Sequence, residues 1–447
     1  MKAVSKLMTP RVVACLAVAS GAFGITSLAA TSGGGVAQAD PAWTSGFVGV
    51  GSDVTQDLWA AYSGASPAPG LGQSNTTFYT PLNAGSANNF LTVESYDANA
   101  AGEPTTTASA ITTTAGGPAW DRPNTSTEGL LALYDDTQGI AYEGNPSYVH
   151  ATVNLTGQLA FTRSARGPAT GSKALPGTAL TFIPYAQDGL GVLEYTAPSS
   201  STTLGTLTEA ELATLYSNTS TGSETINGLT VYATLPVSGS TPRSNLENAI
   251  GVSDTTASSA ASAAATTAGS GLSGSTGVVQ NSGNAFYTAV ENLPKNTAAV
   301  IPISAGSWES QYNDVALDRS ATGRTNGVAL ADIINASSVN LGLPYTATGA
   351  TITQGPNSGD PAEVPSTTYY QDPAFGYTVY TVVPTPEVNA SFDNGFDINS
   401  AIEALFVGTG SSLCSTAAQA TAHLFGFDSL TGSGEPTCGS IATEADG

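Results

Sequence analysis

Residues that could bind a small anion lie in the stretch Phe47–Asp57, which reads FVGVGSDVTQD. Its first part is apolar with two glycines, as expected for a buried strand that ends in a tight loop. Val54, Leu58 and Tyr62 then recur at four-residue spacing, which predicts one face of a helix. A strand, a loop and a helix in this order bring N–H groups and the positive end of a helix dipole to one point. The candidate anion-binding residues of this loop are Ser52, Asp53 and Val54.

Three further loops, at 122–129, 161–168 and 236–243, repeat this Ser/Thr/Gly pattern beside a strand or a helix start. A single loop of this kind is more often an ordinary helix cap or turn. These loops, however, also hold Arg122, Arg163, Arg166 and Arg243, and the planar guanidinium fork suits oxyanions. Recurrence together with arginine favours an anion site. Its candidate residues in these loops are Arg122, Ser126, Arg163, Ser164, Ser238, Gly239, Ser240, Thr241 and Arg243.

Catalytic and metal-binding groups do not form a recognisable motif in this sequence. His150 and His423 are the only histidines, and neither lies in a nucleophile–base pattern. Two cysteines and two distant histidines also lack the spacing of metal ligands. We therefore predict a binding protein that is not an enzyme and needs no cofactor. The alternative is a secreted adhesive or structural β protein, which the Thr/Gly/Ser-rich composition also fits.

The first 39 residues have the features of a secretion signal. Lys2, Lys6 and Arg11 form a positive region, Val12–Ala30 is mostly apolar, and a small-residue cleavage site ends at Ala39. We expect cleavage after this residue and a secreted, extracellular mature chain. No second long apolar segment follows, so we expect no integral membrane segment in the mature chain.

The charge balance narrows the classes of partner. Removing the signal leaves 8 Lys and Arg (11 − 3) against 34 Asp and Glu, a formal net charge of −26. Such a chain cannot build the basic patch that nucleic acids require, and it is unsuited to anionic membranes. A composition this acidic ordinarily indicates a solvated, negatively charged protein surface.

Two cysteines, Cys414 and Cys438, remain after the predicted signal. In an exported chain such a pair is expected to form a disulfide, which here would close a C-terminal loop.

Strand and helix patterns alternate along the chain and predict an α/β fold. Thr208 and Glu211 have capping-box spacing and predict a helix start, as do Thr125 and Glu128. Pro242 suits the first position of a further helix. Segment 255–277 is expected to be a solvated loop or loose helix, and 360–371 a loop. The remaining patterns predict strands at 90–96, 158–162, 180–185, 190–195, 229–235, 298–303 and 377–383, and a helix at 399–407.

At the four loops the sequence resembles the phosphate-binding subunits of ABC importers, in the divergent form found in exported actinobacterial proteins. Gly49–Val54 resembles the first Gly-x-Gly anion loop of that family, and Thr125–Gly129 its Ser-rich helix start. Phe161–Ser164 and Ser238–Thr241 resemble the third and fourth contact loops. The order of these segments, continued at 298–308, 379–385 and 405–411, extends the resemblance over most of the mature chain.

This resemblance implies a periplasmic-binding-protein-like (type II) α/β fold, in which two lobes joined by a hinge hold a ligand in the cleft between them. We expect residues 40–195 with 370–447 to form the first lobe and residues 196–369 the second. The implied ligand is a small oxyanion, phosphate first, and the implied partner is an ABC permease. Family sites use hydroxyl and N–H donors, an arginine, and one carboxylate that accepts a hydrogen bond from the protonated anion.

The sequence departs from the family pattern in three places. Ala165 stands where the family carboxylate usually follows the serine, and Thr241-Pro242 replaces Gly-Thr in the fourth loop. No arginine precedes that loop at Leu235 or Pro236. Asp53, with one of the arginines at 122, 163 or 243, is expected to substitute.

Overall fold

The computed structural model describes residues 46–64, 81–83, 92–98, 110–114, 116–144, 152–169, 175, 179–352, 357–388 and 399–443. The predicted signal peptide lies outside these residues. All of the described residues belong to one compact unit.

Strands within these ranges are short except for one that crosses the molecule. They are β1 (Phe47–Gly51), β2 (Val93–Ser95), β3 (Ala110–Ile111), β4 (Trp120–Asp121), β5 (Ala141–Tyr142), β6 (Val153–Asn154), β7 (Phe161–Ser164), β8 (Leu180–Thr196), β9 (Leu207–Thr208), β10 (Ser223–Ile226), β11 (Leu229–Ala233), β12 (Thr297–Ser304), β13 (Val328–Leu330), β14 (Ile333–Ile334), β15 (Asn340–Gly342), β16 (Tyr345–Thr351), β17 (Pro361–Pro365), β18 (Gly376–Pro384) and β19 (Ala442–Thr443).

Helices follow many of these strands, and two 3₁₀ turns lie at Gly269–Gly271 and Thr385–Glu387. The α-helices are α1 (Gln56–Tyr62), α2 (Ser126–Gln138), α3 (Glu209–Ser217), α4 (Thr241–Ala249), α5 (Asp254–Ala268), α6 (Gly283–Val290), α7 (Ala305–Tyr312), α8 (Ala321–Thr325), α9 (Thr367–Tyr370), α10 (Ser400–Phe406) and α11 (Thr416–Leu424).

One ten-stranded sheet organises the fold. Its strands run in the order β10-β11-β12-β8-β18-β7-β1-β2, and β13 and β19 pair with β8 outside this path. The parallel pairs β1–β2, β1–β7 and β11–β12 are the pairs that helical crossovers connect in α/β proteins. The α/β fold class is therefore confirmed, and the helices do not fit the alternative of a β protein.

The 17-residue strand β8 joins the two halves of this sheet. Its first part, up to Gly189, pairs with β18, whereas its second part, from Leu190, pairs with β12. The chain returns beside this point, because the Leu190 amide donates to the Phe375 carbonyl at 2.6 Å, just before β18 begins. Two crossing segments therefore connect the halves, as in a two-lobed fold with a hinge.

Separate hydrophobic clusters fill the two lobes. Trp59, Phe161 and Phe406 belong to a cluster on the side of β1 and β18. Leu212 and Leu246 belong to a cluster on the side of β11 and β12. The switch of partners along β8 comes earlier in the chain than the lobe boundary predicted after residue 195, and the predicted residue ranges of the lobes stay predictions.

Buried Asp188 holds the crossing point together. It lies in β8 and accepts hydrogen bonds from the Ser304 hydroxyl at 2.6 Å and the Gly306 amide at 2.9 Å, at the start of α7. It also accepts from the Tyr377 hydroxyl in β18 and from the amide of Gly189. One carboxylate thus ties both crossing segments to a helix of the second lobe.

Helix starts follow the capping signals in the sequence. The Thr208 hydroxyl accepts from the Glu211 amide at 3.1 Å, and the Glu211 carboxylate accepts from the Thr208 amide, which completes the predicted capping box. Thr125 caps α2 in the same way, but the Glu128 carboxylate accepts from the amide of Asn124 instead of the cap residue. Local hydrogen bonding therefore decides where these helices begin.

Several predicted elements differ from the observed ones. The two strands predicted at 180–185 and 190–195 form one continuous strand, β8. Its first half pairs with β18 and its second half pairs with β12. Segment 360–371, predicted as a loop, contains β17 and α9. Helix α1 begins at Gln56, so Val54 precedes it, and Pro242 is the second residue of α4 instead of the first. Segment 255–277, expected to be a solvated loop or loose helix, is regular helix up to residue 268, where α5 buries four alanines.

The predicted disulfide is confirmed, because Cys414 and Cys438 are bonded. The segment next to it is held against the sheet, since the Gly439 amide donates to the Pro184 carbonyl of β8 at 2.9 Å. Of the helices within the described ranges, none has both the length and the apolar character needed to cross a membrane.

We expect reduction of this disulfide to lower the free energy of unfolding by about 3 kcal/mol, because the unfolded chain regains the freedom of the closed loop. The measurement is thermal unfolding followed by circular dichroism, with and without reductant. The double variant Cys414→Ser/Cys438→Ser should match the reduced protein and ignore the reductant. Equal melting temperatures for oxidised and reduced protein would contradict the prediction.

Candidate functional site

The first loop and the start of α2 lie in direct contact because both carry glycine at the point of approach. Gly51 ends β1 with a φ of +114°, which side chains rarely adopt. A Cβ on Gly129 would lie 2.6 Å from the Gly51 Cα and 2.3 Å from the Thr162 hydroxyl. Ser126, in the first turn of α2, is therefore brought close to the loop that carries Ser52.

Arg163 stabilises the backbone of the first loop, which carries Gly51 and Ser52. Its guanidinium is fully buried and donates to the carbonyls of Gly51 at 2.9 Å, Ser52 at 3.1 Å and Tyr96 at 2.8 Å. It also bonds the Ser95 hydroxyl. Burial lowers the pKa of this guanidinium to about 10, so it stays charged at neutral pH. Arg163 thus fixes the backbone of the loop through carbonyl oxygens.

The N-termini of α2 and α4 meet across the cleft. The hydroxyls of Ser126 and Thr241, the first residues of the two helices, are 3.1 Å apart and share a hydrogen bond. The Ser126 hydroxyl also accepts from the amide of Ala165 at 2.9 Å, which links the third loop to the same point. Two helix ends of the same electrostatic sign therefore face each other, one from each lobe.

Further hydrogen bonds close the cleft around this point. The Asn281 side-chain amide donates to Asp53 Oδ2 at 2.7 Å, and that of Gln280 donates to the Asn124 carbonyl at 3.0 Å. The Ser307 hydroxyl donates to the carbonyl of Val54 at 3.3 Å. An ion pair between Arg319 and Asp57, also at 3.3 Å, lies beyond them. Side chains just before α6 and in the first turn of α7 thus bond the first loop and the residue before the cap of α2.

Polar side-chain atoms in this cleft are buried without a protein partner. Among the described residues, no hydrogen bond reaches Ser52 Oγ, Asp53 Oδ1, Ser240 Oγ or Gln280 Oε1. Ser240 occupies the N-cap position of α4, where a serine hydroxyl ordinarily caps the helix, yet its side chain makes no capping bond. Buried polar atoms of this kind are normally satisfied, so they indicate a site for a polar ligand.

Asp53 is the carboxylate of this cluster and is 4% exposed. Burial raises the pKa of its carboxyl to about 7, although the Asn281 hydrogen bond and the positive charge of Arg319 act in the opposite direction. Near neutral pH the Asp53 carboxyl can therefore either donate a hydrogen bond to an anion or accept one from a protonated anion.

Five other predicted site residues either bond neighbouring protein groups or are exposed to solvent. Arg243 forms ion pairs with Glu247 at 3.1 Å and Asp254 at 2.6 Å. Arg122 donates to the Asp97 carbonyl at 2.7 Å. The Ser164 hydroxyl bonds the backbone of its own loop at Arg166, while Ser238 and Gly239 are exposed. The structure therefore brings together Ser52, Asp53, Val54, Ser126, Ser240 and Thr241, and Gly239 lines a pocket beside Ser126 and Thr241. The Arg243 guanidinium is instead bound to two carboxylates.

Several residues near the cleft are absent from the predicted set, among them Gln280, Asn281 and Arg166. Gln280 and Asn281 lie just before the capped start of α6, and Asn281 has a left-handed φ of 52°. The polar run Gln-Asn-Ser-Gly ahead of a helix is the sequence signal that could have indicated them. Arg166 was noted in the third loop, and it lines an open pocket beside Ser126 and Thr241. Within the described ranges, no group of three or more His, Cys, Asp or Glu residues could hold a metal ion.

Comparisons with known proteins give distant structural matches. An ABC-type phosphate transport receptor from Vibrio cholerae is 14% identical, with a TM-score of 0.39 over 86% of this chain and 99% of that one. PstS from Borrelia burgdorferi is 12% identical, with a TM-score of 0.35 over 86% and 99%. A phosphate-binding protein from Stenotrophomonas maltophilia is 13% identical, with a TM-score of 0.34 over 87% and 91%. No protein-family model matches the chain, and no curated protein matches its sequence.

The topology and the cleft define the class of protein. A parallel-rich sheet in two halves, two crossing segments and a closed polar cleft between the halves constitute a two-lobed, periplasmic-binding-protein-like α/β fold.

Proposed function

We propose that this protein is a solute-binding protein that holds a small tetrahedral oxyanion, phosphate first, between its two lobes. The observation that carries the proposal is the meeting of α2 and α4 at Ser126 and Thr241. Each helix begins with N–H groups that have no intrahelical partner and with about half a positive charge. An anion between the two ends would relieve their repulsion and accept hydrogen bonds from both lobes.

Neutral donors, together with the helix ends, supply most of the attraction in this proposal. Ser52 and Ser240 add buried hydroxyls that have no other partner within the described part of the chain. Arg163 contributes its positive charge from beneath the loop, while its hydrogen bonds hold the loop in shape. Arg122 and Arg243 remain in the proposed set, Arg122 as a more distant positive charge and Arg243 as a residue whose charge is balanced by Glu247 and Asp254. The bound anion thus gains hydrogen bonds without needing a direct arginine contact.

Asp53 supplies selectivity for a protonated anion. Its Oδ2 is held by Asn281, which leaves Oδ1 for the ligand. A carboxylate there accepts a hydrogen bond from the hydroxyl of hydrogen phosphate but repels an anion that carries no proton. Asp53 thus takes the role of the family carboxylate that Ala165 replaces.

We expect the preference for phosphate over sulfate to increase with pH. Sulfate needs a protonated Asp53, so its affinity should fall about tenfold for each pH unit above the carboxyl pKa of about 7. Hydrogen phosphate brings its own proton and should bind within a few-fold equally well from pH 6 to 8.5. The measurement is isothermal titration with each anion across this range.

Asp53→Asn serves as the matched control, because an amide can donate to sulfate at every pH. Its sulfate affinity should no longer depend on pH. If neither phosphate nor sulfate binds at millimolar concentration, the proposed function is wrong. If phosphate and sulfate show identical pH profiles, Asp53 does not select for a protonated anion.

The proposal includes an extracellular location and delivery of the anion to an ABC permease. The disulfide between Cys414 and Cys438 supports an oxidising compartment outside the cytoplasm. Cleavage after Ala39 is tested by N-terminal sequencing of secreted protein.

A further inference from the structure

A pocket of about 430 Å³ opens beside the proposed anion site and shares residues with it. Ser126 and Thr241, the two hydroxyls where the helix ends meet, form part of its wall. A space of this size falls in the range of pockets that hold small organic molecules and far exceeds what one phosphate needs. Its further lining comes from Thr127, Arg166, Ala169, Gly239, Ser244, Asn245 and Asn248.

Helix α4 provides a polar stripe along this pocket. Thr241, Ser244, Asn245 and Asn248 follow at spacings of three, four and seven residues from the first, which places them on one helix face. Their hydroxyl and amide groups lead outward from the anion site towards solvent. The pocket lining contains no aromatic or large aliphatic side chain within the described residues. Its chemistry therefore suits a group with several hydroxyls better than an apolar one.

Asn245 gives this stripe a buried donor. Its side-chain Nδ2 is buried, and no hydrogen bond reaches it from the described residues. Arg166 of the third loop and Ala169, which follows that loop, line the pocket from the first lobe. A ligand that extends from the anion site would thus pass between a guanidinium and a row of amides, each able to bond hydroxyl oxygens.

We propose that the site takes phosphate monoesters that carry a hydroxylated substituent, such as a sugar or polyol phosphate. The phosphoryl group binds where α2 and α4 meet, and the substituent lies along the α4 stripe as far as Asn248. This inference rests on the proposed function, because it uses the same anion site. It changes the ligand class from inorganic phosphate to its esters.

The test is isothermal titration of the full mature protein at pH 5.5 with inorganic phosphate, glucose 6-phosphate, glycerol 3-phosphate and glucose. An ester phosphoryl group has a second pKa of about 6, so at this pH it carries a proton opposite Asp53 as phosphate does. At least one ester should bind about tenfold more tightly than phosphate, because the substituent adds hydrogen bonds in the pocket. Glucose alone should not bind measurably, since it lacks the phosphoryl group.

Two variants test whether the polar stripe of α4 binds the substituent of the ester. Asn245→Leu and Asn248→Leu each place an apolar group in the pocket on a helix that tolerates leucine. Each should lower the ratio of ester affinity to phosphate affinity at least about fivefold, and thermal unfolding checks that the variants fold.

Separate outcomes distinguish the two proposals. Phosphate binding with weaker ester binding overturns the ester assignment and leaves the anion site standing. An unchanged affinity ratio in both leucine variants also overturns it. Failure of phosphate and all esters to bind overturns the proposed function and this inference together.

Discussion

Replacing Ser126 and Ser240 together by alanine is expected to lower phosphate affinity at least about 100-fold. The Ser126 hydroxyl lies where the two helix ends meet, and the Ser240 hydroxyl is buried without a partner among the described residues. A hydrogen bond to a charged group contributes about 1.5–3 kcal/mol, so two of them amount to about 3–6 kcal/mol. Since about 1.4 kcal/mol is tenfold in affinity, the loss spans about two to four orders of magnitude.

The measurement is titration with phosphate at pH 7.5, accompanied by thermal unfolding. Ser126→Ala also removes the acceptor of the Ala165 amide, so a modest loss of stability is expected in that variant. Ser262→Ala, on the exposed face of α5, is the matched control and should titrate like the parent. Parent-like affinity in the double variant would show that the anion does not bind between these helices.

The protein is expected to become markedly more stable as the pH falls from 8.5 to 5. Burial raises the carboxyl pKa of Asp188 to about 6, of Asp53 and Glu194 to about 7, and of Glu363 to about 8. Unfolding returns these groups to values near 4. The folded state therefore binds protons more tightly than the unfolded state, and this contribution is lost as the pH rises through about 6 to 8.

Each proton that only the folded state holds changes the free energy of unfolding by about 1.4 kcal/mol per pH unit. Two such protons over two pH units give about 5.6 kcal/mol, which should appear as a large rise in melting temperature on acidification. The net charge of −23 acts in the same direction through self-repulsion. Circular dichroism melts at pH 5, 6, 7 and 8.5 provide the measurement.

Glu194→Gln separates the effect of the buried carboxyl groups from that of the net charge. It removes a carboxyl group whose pKa of about 7 lies between pH 5 and 8.5. Its stability should depend less steeply on pH than that of the parent. Glu291→Gln removes an exposed carboxylate just after α6 and should keep the parent slope. A melting temperature that stays constant or rises towards pH 8.5 would refute the prediction.

The sequence by itself determined the fold class and the starts of two helices, α2 and α3. Thr125 and Thr208 cap their helices, and Ser126 begins α2, because capping depends on groups only two or three residues apart. The alternation of strand and helix patterns is equally local. The pairing of Cys414 with Cys438 also followed from the sequence, since these are the only cysteines after the predicted signal.

Only the tertiary structure decided which side chains share the cleft. Arg163 was chosen for its fork of donors, but those donors bond carbonyls of β1 and its loop, more than 100 residues away in sequence. Asn281 bonds Asp53 across an even larger separation, and no local signal indicates that contact. Hydrogen-bond partners are set by which backbone and side-chain atoms come within about 3 Å when distant strands pair. Composition and spacing therefore indicate the chemistry of single loops, whereas the packing of the two lobes decides which loops act together.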